Sequence, residues 1–388
     1  MKKVIIVFIT LFITSACNNL DKNNAWSKFR GNLGNTGHYE GKAPVELTNL
    51  KWKFKTGGDI DSLFTTKITY KGIVSKYGKK QNKNVYSSPA VADGIVFFGS
   101  TDNYLYAVDI KTGQEKWKFK TEGDVNSSPA VADGIVFFGS SDNYLYAVDV
   151  KTGQEKWKFK IESNVRSSPA VADGIVFFGG MDNYLYAVDV KTGQEKWKFK
   201  TGYYVSSSPA VADGMVFFGS WNSYLYAVDV KTGQEKWKFK TEGWVESSPA
   251  VTDGIVFFGS DDYLYAVDVK TGQEKYKFKT EGLVSSSPAV ADGIVFFGSS
   301  DNYHYAVDVK TGQEKWKFKT KENIYSSPAV ADGIVFFGSR DDYLYAVDVK
   351  TGQEEWKFKT EDDIYSSPAV ADGIVFFGST DNYFYALE

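Results

Sequence analysis

The sequence predicts an all-β chain folded as an eight-bladed β-propeller, four antiparallel strands per blade. Three observations carry this reading. First, Ser-Ser-Pro-Ala-Val recurs with its proline at Pro89, Pro129, Pro169, Pro209, Pro249, Pro288, Pro328 and Pro368, a spacing of 40 broken once by 39. Second, each unit contains four short strand patterns, with none of the 3.6-residue spacing of a helical solenoid. Third, the ends are complementary. Residues 51–56 form a fourth-strand pattern with no preceding partners, and the chain stops at 383–388 after a third strand.

Each element of the unit has a local cause. Ser-Ser-Pro-Ala-Val-Ala reads as a short strand A, with proline near its start, where a missing N–H is tolerated. Asp-Gly follows, as at Asp133-Gly134, and favours a type I′ hairpin because both central residues take positive φ. Ile-Val-Phe-Phe-Gly (strand B) and Tyr-Leu-Tyr-Ala-Val (strand C) are apolar runs, so both faces must be covered. Lys-Thr-Gly-Gln turns the chain. Trp-Lys-Phe-Lys (strand D) alternates, and its lysines suit an exposed outer edge. Four such strands covered on both sides make a propeller blade. Trp52, completing the last blade, would close the ring and leave no terminal edge unpaired.

Composition narrows the function. The chain has 388 residues, 16% aromatic, with two His, one Cys and a formal net charge of −3. So many large apolar groups exclude disorder. The charge gives no basic field for nucleic acid. Two His and one Cys leave little for a His/Cys metal centre or histidine-based catalysis. A monomeric propeller is expected.

The N-terminus reads as an address. Met1-Lys2-Lys3 is followed by an apolar run, Val4 to Ile13, too short to span a bilayer but suited to a secretory signal. Thr14-Ser15-Ala16-Cys17 resembles a bacterial lipoprotein lipobox, with Thr14 where leucine is usual. That resemblance implies a signal peptide over 1–16, lipidation at Cys17, a polar tether over 17–25 and a propeller over 26–388. An ordinary signal peptide with an incidental Cys is the alternative.

The C–D turns share a motif. Ala107-Val108-Asp109-Ile110-Lys111-Thr112-Gly113-Gln114-Glu115-Lys116-Trp117 fits A-x-D-x-x-T-G-x-x-x-W, and the pattern recurs to Trp157, Trp197, Trp237, Trp316 and Trp356, with Tyr276 once in the aromatic place. Asp and Thr can bond the turn backbone, Gly takes the positive φ, and the aromatic ring, like that of Trp52, lies against the neighbouring blade. The motif resembles the tryptophan-docking repeat of pyrroloquinoline-quinone-type propellers. Trp26-Ser27-Lys28-Phe29-Arg30-Gly31 and Thr36-Gly37 resemble the leading segment of such proteins. The resemblance implies eight blades. It covers quinone-dependent dehydrogenases, which use pyrroloquinoline quinone and calcium, and non-enzymatic members such as the propeller lipoprotein of the outer-membrane assembly machinery. Dehydrogenases of this type usually carry an adjacent Cys-Cys pair. This chain has none, so the non-enzymatic branch is expected, with no cofactor, no metal and no catalytic residue.

The copies differ in two places: the run entering strand A and the B–C turn. Strands alternate in direction, so both fall on one rim of the disc. Candidate binding residues there are Arg166, Met181, Tyr203, Tyr204, Trp221, Trp244, Glu246, Tyr325, Arg340 and Tyr365. Tyr203, Tyr204, Trp221 and Trp244 come from adjacent blades and are expected to cluster. Exposed Trp, Tyr and Arg are the residue types of binding hot spots. Neutral drift in tolerant loops is the alternative. An insertion of about 25 residues within 57–86, with a candidate hairpin and Lys67, Lys71, Lys76, Lys79, Lys80 and Lys83, emerges on the same rim. The expectation is a lipid-anchored propeller in a bacterial envelope, on the outer membrane and facing the periplasm, binding an envelope protein, peptide or glycan on this rim. A quinone-dependent dehydrogenase is the rival.

Overall fold

The computed structural model describes residues 31–32, 34–44, 46, 49–57 and 83–388, and the backbone of two strands at 66–70 and 73–77. Cys17, the signal segment and Trp26–Arg30 lie outside the described residues.

Blade one comprises strand A (Ala90–Ala92), B (Ile95–Gly99), C (Tyr104–Asp109) and D (Glu115–Lys120), hydrogen-bonded in that order. The later blades start their A strands at Ala130, Ala170, Ala210, Ala250, Ala289, Ala329 and Ala369. Strand A is shorter than its sequence pattern suggests, because the serines before it leave the sheet. The Asp-Gly hairpins have the expected positive φ, 51° at Asp133 and 71° at Gly134. Strands B are buried along their length except at Met215, which is half-buried, and the core lies between blades. Phe119 of blade one meets Phe138 and Tyr146 of blade two edge-on, with centroids 5.8 and 5.3 Å away. Full burial of one such ring stabilises by about 1.5–3 kcal/mol.

The ring closes as the sequence predicts. Strand β2 (Leu50–Lys55) pairs antiparallel with Tyr383–Leu387, placing Trp52 opposite Ala386 and Phe54 opposite Phe384. Blade eight therefore takes its outer strand from the other end of the chain.

The Ser-Ser pairs form a second closure. Ser87 Oγ donates to Ser127 O (3.2 Å), and Ser128 Oγ accepts from Ser88 N (2.9 Å). The pattern steps around every junction to the last, where Ser366 Oγ donates to Ser87 O (3.1 Å) and Ser88 Oγ accepts from Ser367 N (3.0 Å). These serines are buried, so each bond satisfies a group that water cannot reach.

The docking residues bridge blades. Trp117 Nε1 donates to Val150 O (2.9 Å), and its ring lies on Gly153, where a Cβ would come within 2.7 Å of the indole. Gly153 also has φ of 68°, so the turn glycine is required twice over. Trp52, Trp157, Trp197, Trp237 and Trp316 repeat the contact. The Tyr276 hydroxyl reaches Val309 O at 3.0 Å instead.

One feature exceeds the sequence reading. The leading segment, Gly34 to Tyr39, runs along the inner edges of blades four to seven. Gly34, Thr36 and Gly37 accept through their carbonyls from Val251 N, Val290 N and Val330 N at 2.7, 2.7 and 2.8 Å. Asn35 Nδ2 donates to Pro209 O at 3.1 Å. Strand β1 (His38–Tyr39) then adds in parallel to Ala329–Ala331. A Cβ at Gly34 would sit 2.5 Å from Val251 O, so only glycine lets the backbones approach. Among the described residues no helix is long and apolar enough to cross a membrane.

Candidate functional site: the variable rim

The A–B and C–D turns share one face. Asp109 Oδ1 accepts from Lys111 N, Thr112 N and Thr112 Oγ1, and Lys116 Nζ pairs with Oδ2 at 3.0 Å. The Lys116 contact, aided by the turn donors, brings the Asp109 carboxyl down to about 2. The same cage recurs at Asp149, Asp189, Asp229, Asp268 and Asp308. These aspartates are consumed by turn chemistry.

The opposite face carries the D–A linkers and the B–C turns. Except at blade five, the linker bonds the B–C turn it crosses: Ser141 N donates to Asp124 O (2.9 Å), Trp221 N to Tyr204 O (3.0 Å) and Arg340 N to Asn323 O (3.1 Å). A second clamp ties the B–C aspartate to a strand C tyrosine. Tyr106 OH donates to Asp102 Oδ2 (2.6 Å), with counterparts at Tyr146–Asp142, Tyr186–Asp182, Tyr305–Asp301, Tyr345–Asp341 and Tyr385–Asp381. Burial first, then the adjacent Asp102, push the Tyr106 hydroxyl far above its usual range. The backbone of the rim is thus fixed while its outward side chains vary.

The structure brings the four blade-four and blade-five aromatics together. Trp221 and Trp244 stack face to face, centroids 4.6 Å apart and planes 3° from parallel. Tyr204 meets Trp221 edge-on at 5.5 Å, and Tyr203 lies 4.5 Å from Tyr204. Trp221 Nε1 donates to Ser206 Oγ (2.9 Å), which holds the ring in place. Tyr203 is 45% exposed and Trp244 56%. Glu246 lies beside Trp244 in a cleft with Asp261 and Leu283, and burial there pushes its carboxyl up.

A second group forms on blades seven, eight and one. Tyr325 and Tyr365 stack at 5.9 Å, and Tyr86 meets Tyr365 edge-on at 5.5 Å. Arg340 lies 5.7 Å above Tyr365, and its Nε pairs with Asp363 at 3.0 Å. Asp342 and Asp362 approach Asp363 within 4.8 Å, so Arg340 acts as the counter-charge of this acidic group. Arg166 instead faces Asp124, whose carboxyl rises through burial and is partly restored by that guanidinium. Met181, half-buried, tops the neighbouring B–C turn, its N–H bonded to Asn164 O at 3.0 Å.

Sequence reasoning passed over Tyr86 and Leu283 as site residues. Both hold positions that vary among the copies, and comparison of the eighth linker with the first would have found Tyr86. The candidate hairpin of the insertion is present as β3 (Thr66–Tyr70) and β4 (Ile73–Tyr77), paired antiparallel. The insertion's ends are pinned together on the rim: Lys83 Nζ donates to Gly57 O (2.8 Å), and Tyr106 OH accepts from Gly57 N (3.0 Å).

A search of curated proteins gives no match. Among solved structures, BamB from Moraxella catarrhalis superposes with a TM-score of 0.69 at 16% identity, over 78% of this chain and 96% of that one. A europium-containing methanol dehydrogenase superposes with a TM-score of 0.75 at 16% identity, over 92% and 91%. The computationally designed Ika8 protein superposes with a TM-score of 0.72 at 23% identity, over 80% and 97%. At these identities the likenesses establish the propeller fold. Overlapping matches at 52–202, 146–247, 182–325 and 305–388 identify the repeats with the family described as outer membrane protein assembly factor BamB. With residues 52–388 so matched, this chain belongs to that family of pyrroloquinoline-quinone-type propeller repeat proteins.

Proposed function

We propose that this protein is a non-catalytic, lipid-anchored propeller of the bacterial envelope that docks a protein partner on its variable rim, in an assembly or scaffold role. Cys17 would carry the anchor and residues 17–25 the tether, holding the disc at the periplasmic side of the outer membrane. The observation that carries the reading is the Trp221–Trp244 stack: two parallel indoles, Trp221 held by Ser206 and Trp244 open to solvent, on the face where the copies differ. Aromatic rings fixed before binding lose little side-chain entropy on contact, and so make strong anchors. Family membership supports an assembly role. The opposite face is spent on repeated turn chemistry.

Capture from envelope extract tests this. Trp221→Ala with Trp244→Ala is expected to lose the partner while keeping the wild-type melting temperature. Full recovery of every partner by the double variant would contradict the proposal. Cys17→Ser is expected to release the protein from membranes. The dehydrogenase reading draws on fold likeness alone. Dye reduction after reconstitution with pyrroloquinoline quinone and calcium tests it, and turnover there would replace the docking reading.

A further inference from the structure

Blade five breaks the rim pattern in one respect. The spacing of 39 shortens its B–C turn by one residue, from Thr-Asp-Asn in blade one to Asp261-Asp262. Six of the other blades use the B–C aspartate to accept from the strand C tyrosine, and blade four uses Asn222 with Tyr226. In blade five no such bond joins Asp261 to Tyr265 among the described residues. Asp261 takes a left-handed conformation, φ 49°, and its carboxylate packs against Gly243. A Cβ at residue 243 would overlap the Asp261 carboxylate as it stands, so glycine at this point of the linker leaves the acid its place.

The freed carboxylate enters the cleft lined by Trp244, Glu246, Leu283, Val284 and Ser285. Glu246 occupies a position that is Tyr86, Asn126, Arg166, Ser206, Ser285, Tyr325 and Tyr365 in the other copies. Two acids thus line a cleft shared with one exposed indole. The nearby acids are already matched, Glu242 by Lys277 (3.8 Å) and Asp262 by Lys279 (3.6 Å). Among the described residues neither Glu246 nor Asp261 has an ion pair, and no lysine or arginine lies over Trp244. Elsewhere on the disc lysines do cover rings, as Lys277 does Tyr263 at 4.4 Å. Leu283, 52% exposed, adds an apolar wall.

We infer that this cleft receives a basic side chain, arginine or lysine, carried on an apolar stretch of a protein partner. The cation would lie on the outer face of Trp244 and pair with Glu246 and Asp261, while its apolar neighbours meet Leu283. Charge complementarity and the open indole both select such a group. Burial raises both carboxyls, and Asp262 and Glu242 add repulsion at Asp261, so an arriving cation relieves an existing penalty. The inference rests on the docking reading above and narrows its partner.

The test uses the full chain and two labelled peptides, acetyl-Ala-Leu-Arg-Leu-Ala-amide and its citrulline counterpart, which keeps the shape of arginine without its charge. Binding is read by fluorescence anisotropy. The arginine peptide is expected to bind about 10-fold tighter than the citrulline peptide, and to weaken at about 0.5 M salt. Glu246→Gln with Asp261→Asn is expected to erase that preference without moving the melting temperature. Equal binding of the two peptides, or a preference that survives the double substitution, would overturn the inference. So would chitotetraose displacing the arginine peptide from wild type but not from Trp244→Ala, which would mark a sugar site instead. If Trp221→Ala/Trp244→Ala loses the envelope partner and Glu246→Gln/Asp261→Asn keeps it, the docking reading stands and this narrower inference falls.

Discussion

The indole N–H of Trp356 donates to the carbonyl of Pro44 across 3.1 Å. In the other blades the acceptor is a carbonyl of the next blade's C–D turn, such as Val150 for Trp117. Blade eight takes its outer strand from β2, so no C–D turn links its strands C and D, and the leading segment supplies the missing acceptor. Ala43 belongs to the same buried cluster as Trp356, and Trp356 is buried where its counterparts are half-buried. The leading segment therefore ties the ring twice, at the inner edges of blades four to seven and at the outside of blade seven.

Removing residues 31–44 is expected to lower the melting temperature and to red-shift tryptophan emission as Trp356 meets water. Trp356→Phe, which loses only the N–H bond and part of the ring, should destabilise by about 1–2 kcal/mol in chemical denaturation. A deletion variant as stable as the parent would show that the segment is only laid on the ring.

The serine belt predicts an asymmetry within each pair. Ser128→Ala strands the buried Ser88 N–H without an acceptor and should destabilise by about 1–3 kcal/mol. Ser127→Ala leaves the Ser167 carbonyl without a donor, a smaller loss of about 0.5–1.5 kcal/mol. Urea melts of the two single variants measure the difference.

His304 stands where six copies have Leu and one has Phe. It is fully buried, stacked 4.1 Å from Phe337, with neither ring nitrogen hydrogen-bonded. Burial drives its pKa down to about 3 from an ordinary value near 6.5. Above that ordinary value both states are neutral. Below it the unfolded chain takes up a proton that the folded chain refuses, so stability falls as pH drops from about 6.5 towards 3. His304→Leu should raise stability by about 1–3 kcal/mol at neutral pH and flatten that part of the pH profile.

The turn aspartates act lower on the scale. Asp109 and its counterparts ionise near 2 in the fold against 3.8 in the open chain, so their contribution is complete above about 4 and is lost as pH falls through 2. Lys116→Met removes the main cause at one blade, so its melting temperature should fall below the parent's above about pH 4 and the difference should vanish as pH falls towards 2. A thermal-melt series from pH 7 to about 2 separates this step from the histidine step above it.

The blades, the Asp-Gly hairpins, the docking of Trp117 on its neighbour and the pairing of Trp52 with the last blade were legible because each is written locally: by period, by turn residues, or by complementary ends. The aromatic cluster of Tyr203, Tyr204, Trp221 and Trp244 was legible too, since repeats place equivalent positions side by side. The serine belt was not. Ser-Ser looks like the start of a strand, and only the meeting of neighbouring blades at the axis reveals its partners. The path of Gly34 to Tyr39 was hidden for the same reason: Gly34, Asn35 and Gly37 read as ordinary loop residues until the inner strand edges they accommodate are in place. Asp261 shows a third limit. A one-residue deletion is visible in the spacing, but its effect, a carboxylate released from its tyrosine, requires the geometry of the other blades.

The docking claim is tested most directly by site-specific photo-crosslinking in intact cells. A photoreactive phenylalanine analogue at Tyr204, on the variable rim, is compared with the same group at Lys151, in a C–D turn of the opposite face. Docking on the rim predicts a discrete protein adduct from position 204, weakened by Trp244→Ala, and none from position 151. Adducts from position 151 alone would place the working surface on the other side of the disc and contradict the account.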